Sequence, residues 1–279
     1  MKTPTVKSAL SIAIRAALAA GREIMAIYTD PDQDFGIERK ADNSPLTLAD
    51  KAAHRCIVKM LHQTGLPVLS EEGSHEDYEQ RREWVAFWMV DPLDGTKEFI
   101  KRNGEFTVNI AFVLDNHPHA GVIYVPVRRE LYFADPLLGS FKVTDIAEWP
   151  ESERLPDLLK RAQRLPLTGD DSDGNAKARP YTIVASRSHL SPETEQFIEE
   201  ARREHGEVEI VTSGSSLKIC LVAEGVADAY PRYAPTMEWD TAAGDAIARC
   251  AGRQVYEYGT EEPLIYNKED LHNPWFLVK

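Results

Sequence analysis

A buried strand that ends on two carboxylates constrains the fold of this chain more than any other feature. Residues 87–90, FWMV, form an apolar run that predicts a buried strand, and DPLDGTKEF follows without a break. Asp91 and Asp94 therefore stand three positions apart at the strand end, with no basic residue between them. The Asp-Gly pair favours a solvent turn, whereas paired carboxylates are also typical of a cation site.

Acidic residues open or close three other predicted elements. Glu71 and Glu72 end the short strand PVLS, Asp50 opens a helix predicted over about residues 50–62, and Asp240 opens the helix WDTAAGDAI. Taken singly, these residues are explained as solvated strand ends or as helix N-caps. Two neighbouring strands that both end in acids would crowd like charges, which is costly unless a cation neutralises them. Because no histidine or cysteine cluster lies nearby, the pattern favours Mg²⁺ or Mn²⁺ over zinc.

The loop DPLDGT fits a cation site beside an anion site. Pro92 fixes the chain, and the carbonyl of Leu93 lies between the two carboxylates, where it can join them as a ligand. Gly95 lets the backbone approach a ligand closely. Thr96 begins TKEFI, a predicted helix whose free amides favour a phosphate. The cation interpretation is therefore favoured over the turn.

Charge and cysteine content limit the class of protein. The 279-residue chain has 32 Lys and Arg against 45 Asp and Glu, a formal net charge of -13, which argues against nucleic-acid polymers and anionic membranes as general partners. The three cysteines form no CxxC pair, which is typical of buried thiols in a reducing compartment. Arg15 interrupts the apolar stretch that a signal peptide would need, and no segment is long and apolar enough to span a membrane. We expect a cytoplasmic protein and leave open a peripheral association with the inner membrane.

The chain divides into two halves of different character. Residues 1–150 predict two helices followed by a meander of antiparallel strands, an α+β half that carries most of the acidic positions. Residues 151–180 are polar and dotted with proline and glycine, and predict a connection or insertion. Residues 181–279 alternate strands and helices, which predicts an α/β half that contains Asp240.

Three motifs identify a resemblance that covers nearly all of the chain. SEEG (70–73), DPLDGT (91–96) and WDTAAGDA (239–246) occur in the order found in the inositol monophosphatase superfamily of Mg²⁺-dependent, lithium-sensitive phosphomonoesterases. ASRSH (185–189), GSSLKICLVAEG (214–225) and YPR (230–232) make the chain especially similar to the CysQ-type bisphosphate nucleotidases of that superfamily. The resemblance implies a mixed α/β fold with the layered αβαβα arrangement of sugar phosphatases. It also implies hydrolysis of the 3'-phosphate of 3'-phosphoadenosine 5'-phosphate, a by-product of sulfur metabolism.

The resemblance also implies roles for individual residues. Two or three Mg²⁺ ions, which Mn²⁺ can replace, would be held by four carboxylates and a carbonyl, those of Glu71, Asp91, Asp94, Asp240 and Leu93. Glu71 would position the attacking water, and Thr96, polarised by Asp50, would orient it. The amides of Gly95 and Thr96 would bind the phosphate. In two-metal chemistry one ion acidifies water and another stabilises the leaving oxygen.

The nucleotide pocket is expected to contain Ser215, Lys218, Arg187, His189 and Arg232. A phosphate distant from the cations needs positively charged partners, which Lys and Arg provide. The alternative is that these side chains are simply solvated and that His189 caps the following helix.

Three further residues have open roles. Lys40 matches a basic position of the family or is an exposed loop lysine; Glu98 lies one turn beyond the loop; Glu238 precedes the predicted ligand Asp240.

Two rival functions share these features. An inositol or sugar-phosphate phosphatase would keep the cation site and differ only in the substrate pocket. A non-catalytic phosphate-binding regulator would be expected to have lost a cation ligand, and this chain retains all the matching positions. The expected partner is a small phosphorylated nucleotide, and the expected assembly is a monomer or a homodimer.

Overall fold

The computed structural model describes residues 6–32, 34–40, 44–74, 76–167, 179–185 and 191–279. The described helices are α1 Val6–Tyr28, α2 Leu48–Leu61, α3 Tyr78–Arg81, α4 Thr96–Ile100, α5 Leu155–Leu159, α6 Pro192–His205, α7 Leu217–Ala223 and α8 Glu238–Cys250, with a 3₁₀ turn at His62–Thr64. The described strands are β1 Glu38–Arg39, β2 Pro45–Leu46, β3 Val68–Ser70, β4 Ala86–Asp94, β5 Thr107–Leu114, β6 His117–Val125, β7 Glu130–Asp135, β8 Gly139–Val143, β9 Gln163–Arg164, β10 Tyr181–Ala185, β11 Val208–Thr212, β12 Tyr230–Arg232, β13 Val255–Glu257 and β14 Phe276–Val278.

Seven of the described strands form one sheet in the order β3-β4-β5-β6-β7-β8-β9. The first pair is parallel, and the later pairs from β4 to β9 are antiparallel; for β5 to β7 this is the meander that the sequence predicted. Both faces of this sheet are covered. Along β5, Val108 and Ile110 pack into the core beneath α1 and α2, whereas Ala111 and Val113 pack into the core that contains α7 and α8.

The elements stack in five layers. Helices α1 and α2 cover one face of the large sheet, and α7 and α8 cover the other. Beyond α7 lie the parallel pair β10-β11 and the antiparallel sheet β12-β14-β13, with α6 packed on β10, β11 and β12. The mixed α/β fold with αβαβα layering, predicted from the resemblance, is confirmed.

Gly121 in β6 brings α8 close to the sheet. A Cβ atom at this position would overlap the carbonyl oxygen of Ala243 in the middle of α8. The helix can therefore lie directly on the sheet, and its first turn, which carries Asp240, reaches the end of β4.

Part of the stretch expected to be a polar connection is folded. Leu155 and Leu158 of α5 are buried in the core beneath α1, and β9 pairs with β8 at the edge of the large sheet. Residues 155–164 of the predicted polar connection or insertion are therefore packed against the rest of the fold, because a few buried leucines within a polar stretch suffice to anchor them. The division of the chain into halves stays a prediction.

None of the helices in the described ranges combines the length and the apolar character that crossing a bilayer requires.

Candidate active site

The acidic ends of β3 and β4 meet at one edge of the large sheet. Because these two strands are parallel, their carboxyl ends lie side by side. The pairing continues one step past β3, where the amide of Glu71 donates to the carbonyl of Val90 (3.0 Å). The predicted crowding of Glu71 and Asp91 is thus a property of the fold.

A bulge in β4 aligns its two carboxylates. Asp91 pairs with Asn109 and Asp94 pairs with Thr107, so three steps along β4 match two steps along β5. In a regular strand, side chains three positions apart point to opposite faces. The extra residue in the bulge cancels this alternation and turns both carboxylates to the same side.

Asp240 in the first turn of α8 completes a group of three carboxylates. One carboxylate oxygen from each of Asp91, Asp94 and Asp240 lies within 4.8 Å of the others. The backbone amide of Met237 donates to Asp240 Oδ2 (2.8 Å), and the amide of Leu93 donates to Asp91 Oδ1 (3.0 Å). Each of these bonds uses one oxygen of its carboxylate and fixes the orientation of the other.

Burial and mutual repulsion make these carboxylates hard to ionise together. Burial, followed by the charges of Glu71, Asp94 and Asp240, raises the pKa of Asp91 well above its usual value. Burial, followed by the charge of Asp94, raises the pKa of Asp240 to about 8. A divalent cation would relieve this repulsion, and three carboxylate oxygens suit a hard ion. The donor set therefore fits a divalent cation.

Glu71 lies next to this group without belonging to it. Its charge and a side-chain hydrogen bond act on Asp91, but its Oε1 is 2.6 Å from the Nζ of Lys40. Lys40 Nζ also lies 2.5 Å from Glu72 Oε1. Burial lowers the pKa of Lys40, but the two glutamates outweigh it and raise the pKa overall. Lys40 is therefore a partly buried partner of these acids and not an exposed loop lysine.

The structure brings Thr96 and Asp50 together as the resemblance implied. Thr96 Oγ1 lies 3.1 Å from Asp50 Oδ1, while Asp50 Oδ2 accepts the backbone amide of Thr47 (2.8 Å) in a capping box at the start of α2. Burial raises the pKa of Asp50, and its hydrogen bonds to Thr47 oppose that rise. Gly95 precedes Thr96 in the left-handed region, with φ of 92°, as the N-cap of α4.

A cavity of about 490 Å³ adjoins Asp94 and Asp240, and Gly95, Ser215, Lys218 and Arg232 also line it. Lys218 is buried, which lowers its pKa to about 8, and its Nζ donates to the carbonyl of Ser215 (2.7 Å). Ser215 Oγ lies 2.9 Å from the carbonyl oxygen of Asp94, so its hydroxyl already contacts the loop.

Two residues of the predicted nucleotide pocket, Arg187 and His189, lie outside the described residues.

Sequence reasoning missed several residues around the cavity. Lys97 of α4 and Lys101, the C-cap of that helix, line it and stand four positions apart, a spacing that places both on one helix face and that could have revealed them. Ser216 donates its backbone amide to Asp94 Oδ2 (2.6 Å), and its hydroxyl lies 2.7 Å from Thr107 Oγ1. No sequence signal links these last two residues, because the contact joins β5 to the start of α7.

The remaining open residues separate into two groups. Glu98 lines the cavity. Glu238 is fully buried and hydrogen-bonds to residues 267 and 268, so it makes its contacts outside the three-carboxylate group.

Known proteins resemble this chain along almost its entire length. The model of the inositol monophosphatase family matches residues 6–274. The 3'(2'),5'-bisphosphate nucleotidase CysQ of Shigella flexneri is 42% identical over 262 residues, which cover 93% of this chain and 94% of that protein. The crystal structure of CysQ from Bacteroides thetaiotaomicron, a bacterial member of the inositol monophosphatase family, is 57% identical and has a TM-score of 0.88, covering 98% of this chain and 97% of that one.

A more distant protein shares the fold. The structure of an inositol monophosphatase from Anabaena is 23% identical, with a TM-score of 0.66 and coverage of 98% of this chain and 90% of that one. The resemblance predicted from SEEG, DPLDGT and WDTAAGDA is confirmed. The chain belongs to the inositol monophosphatase family.

Proposed function

We propose that this protein is a divalent-cation-dependent phosphomonoesterase that hydrolyses the 3'-phosphate of 3'-phosphoadenosine 5'-phosphate to AMP and phosphate. The observation that carries this proposal is a group of three carboxylates, one buried and two partly buried, beside a cavity that also contains Lys218 and Arg232. Carboxylates with a bound cation suit the reacting phosphate, and cationic side chains elsewhere in the cavity suit a second phosphate. Relatives named 3'(2'),5'-bisphosphate nucleotidase support the same substrate.

The proposed cation is Mg²⁺, in two or three copies, with Mn²⁺ as a substitute. Asp91, Asp94, Asp240 and the carbonyl of Leu93 would hold it, together with Glu71 once the cation competes with Lys40 for that carboxylate. A bound divalent cation would supply an acidified water as the nucleophile and positive charge for the leaving oxygen.

The proposed water-orienting pair is Thr96 and Asp50. The 3.1 Å contact lets Thr96 donate to Asp50, which leaves the lone pairs of the threonine oxygen free to accept a hydrogen bond from water. Glu71, whose charge and side-chain hydrogen bond act on Asp91, would hold the same water. The amides of Gly95 and Thr96, at the start of α4, would bind the phosphate as it leaves the ester.

The proposed partners of the distal phosphate are Lys218 and Arg232. Ser215 would act with them chiefly by holding the carbonyl of Asp94. Arg187 and His189 keep their predicted place in this pocket as part of the proposal. The cationic pair is what separates a bisphosphate substrate from a monophosphate such as inositol phosphate.

The deciding experiment is phosphate release with Mg²⁺ from 3'-phosphoadenosine 5'-phosphate and from inositol 1-phosphate, each with and without lithium. We expect a strong preference for the nucleotide, inhibition by lithium and no release in EDTA. A preference for inositol 1-phosphate would overturn the substrate while leaving the cation chemistry in place. No release from either substrate would overturn the activity itself.

The variant Lys218→Met tests the distal subsite. Loss of a charged hydrogen bond costs about 1.5–3 kcal/mol, so kcat/KM for the nucleotide should fall about 10- to 100-fold. Inositol 1-phosphate has no second phosphate, and its slow hydrolysis should change by less than about twofold. Equal losses for both substrates would place Lys218 outside the distal subsite.

The proposed location is the cytoplasm, supported by three cysteines that are all free. A peripheral association with the inner membrane and the choice between monomer and homodimer stay predictions.

A further inference from the structure

Glu238 stands two residues before Asp240 and is completely buried. Its carboxylate accepts hydrogen bonds from the backbone amides of Asn267 (2.5 Å) and Lys268 (3.0 Å), and from Lys268 Nζ (2.5 Å). A buried carboxylate is costly unless donors surround it, and here three donors do so, one of them charged. Glu238 therefore ties the first turn of α8 to residues 266–273, which we call the C-terminal clamp.

The clamp also binds the backbone just before α8. Asn273 donates from its amide to the carbonyl of Thr236 (2.8 Å) and from its Nδ2 to the carbonyl of Met237 (2.7 Å). The amide of Met237 in turn donates to Asp240 Oδ2 (2.8 Å). Asn273 thus holds the backbone at residues 236 and 237 through both its main-chain amide and its side-chain amide. This backbone segment in turn sets the position of the Asp240 carboxylate.

Arg81 joins the clamp to the other half of the carboxylate group. This buried residue donates to Asn267 Oδ1 (3.0 Å) and to the carbonyls of Lys268 (2.7 Å) and Glu269 (2.9 Å). Arg81 ends α3, shortly before β4 begins at Ala86. A continuous chain of buried hydrogen bonds therefore runs from the approach to β4, which carries two carboxylates, to the helix that carries the third.

We propose that Glu238 is a positioning residue that, through the clamp and Arg81, sets the place of Asp240 relative to Asp91 and Asp94. The inference rests on the proposed binding of a divalent cation by these carboxylates. Asp240 stands on a different element from Asp91 and Asp94, and the three carboxylates repel one another, so without an anchor α8 would draw back from the edge of β4. Fixing the ligands in advance lowers the cost of assembling the site when the cation binds.

The test is the affinity for Mn²⁺, measured from the electron paramagnetic resonance signal of the free ion. In Glu238→Gln, and independently in Lys268→Met, we expect Mn²⁺ to bind about 10-fold more weakly, the lower end of the effect typical of residues that support metal ligands. Excess Mn²⁺ should restore phosphate release. If Glu238→Gln fails to fold, the Mn²⁺ affinity of Lys268→Met tests the same contact.

The matched control is Glu224→Gln. Glu224 is also buried, and its carboxylate accepts hydrogen bonds from Lys142 Nζ (3.0 Å) and Tyr132 Oη (2.5 Å). It lies at the C-terminal end of α7, with both of these donors outside the clamp. It should lose stability while its Mn²⁺ affinity stays that of the wild type. Equal weakening in this control and in Glu238→Gln, or wild-type affinity in both Glu238→Gln and Lys268→Met, would overturn the positioning role.

A further variant separates this inference from the proposed function. Asp94→Asn should lose Mn²⁺ binding. If it binds Mn²⁺ as the wild type does, the cation site of the proposed function fails, and the positioning role fails with it. If Asp94→Asn loses Mn²⁺ binding but the Glu238 and Lys268 variants bind Mn²⁺ as the wild type does, the cation site stands and the positioning role alone is overturned.

Discussion

Asp94 shows how much one side chain contributes to the proposed site. Its Oδ2 accepts the amide of Ser216 (2.6 Å), and it stands within 4.8 Å of two other carboxylates. In Asp94→Asn the amide oxygen can still accept from Ser216, so the fold should survive, and one of three repelling charges is gone. We expect the rate of phosphate release to fall about 100-fold or more. Residues that only support a metal ligand cause losses of up to about 100-fold when they are replaced, and the loss of a ligand itself should be at least as large.

Thermal unfolding provides the second measurement on this variant. Without cation, Asp94→Asn should melt at or above the wild-type temperature, because repulsion has been reduced. On addition of Mg²⁺ the wild type should gain stability by mass action, and the variant should not. Activity that survives the substitution would remove Asp94 from the reaction.

Single residues also mark the limit of what the sequence could predict. Asp91, Asp94 and Asp240 were predictable because strand ends and helix starts are visible in the sequence. The contact between Ser216 and Asp94 was not, because 122 positions separate them and only the fold joins β4 to α7. Glu238 could be singled out from the sequence, but the groups that its side chain contacts could not, since they lie 29 and 30 positions away.

The junction between β4 and α4 depends on Gly95. Its φ of 92° is costly for any residue with a Cβ, and a Cβ here would also overlap Ser215 Oγ and lie 3.1 Å from the carbonyl of Glu105. Gly95→Ala should therefore lose more stability than the backbone strain alone explains and should lose phosphate release, because the amides at the start of α4 shift. Urea unfolding and a phosphate-release assay measure the two effects.

The control for this junction is Gly65→Ala. Gly65 has a comparable left-handed conformation, with φ of 72°, but no atom lies within 4 Å of its Cβ position. It should lose about 1 kcal/mol of stability and keep full activity. Wild-type activity in Gly95→Ala would show that the junction tolerates a side chain and that the amides do not depend on it.

Elements were predictable where periodicity was strong. The meander from β5 to β7 and the helix α8 follow directly from alternating or helical apolar patterns. Helix α5 and strand β9 could not be predicted in this way, because they are only five and two residues long and their exposed side chains are polar. The buried leucines of α5 are recognisable only once the sheet edge and α1 are in place.

At the scale of the whole molecule, the candidate site joins elements that are distant in the sequence. β4 supplies two carboxylates and α8 the third, and the hydrogen bonds of Arg81 reach across 186 to 188 positions. Sequence motifs predicted the members of the site and their family. The bulge in β4 and the clamp, which set the geometry, are tertiary features with no local sequence signal.

The same crowding couples the stability of the metal-free protein to pH. The pKa of Asp240 is raised to about 8 and that of Asp91 is also raised, in both cases by burial first and then by neighbouring carboxylates. An acid with a raised pKa in the folded state holds its proton more tightly there than in the unfolded chain. Its contribution is therefore complete at low pH and is lost as pH rises from about 4, the unfolded value, to about 8.

We therefore expect the Tm of the protein in EDTA to fall between about pH 5 and pH 8, and the rise in Tm on adding Mg²⁺ to be larger at the higher pH, because the cation replaces the lost protons. Asp240→Asn is the control: it removes the carboxyl whose pKa is raised to about 8 and should flatten the fall in EDTA. Asp50, Glu72 and Asp245, whose pKa values are also raised by full or partial burial, should leave a smaller dependence of the same sign. A metal-free Tm that is constant across this range in the wild type would mean that the carboxylates of β4 and α8 are not held together in the folded protein.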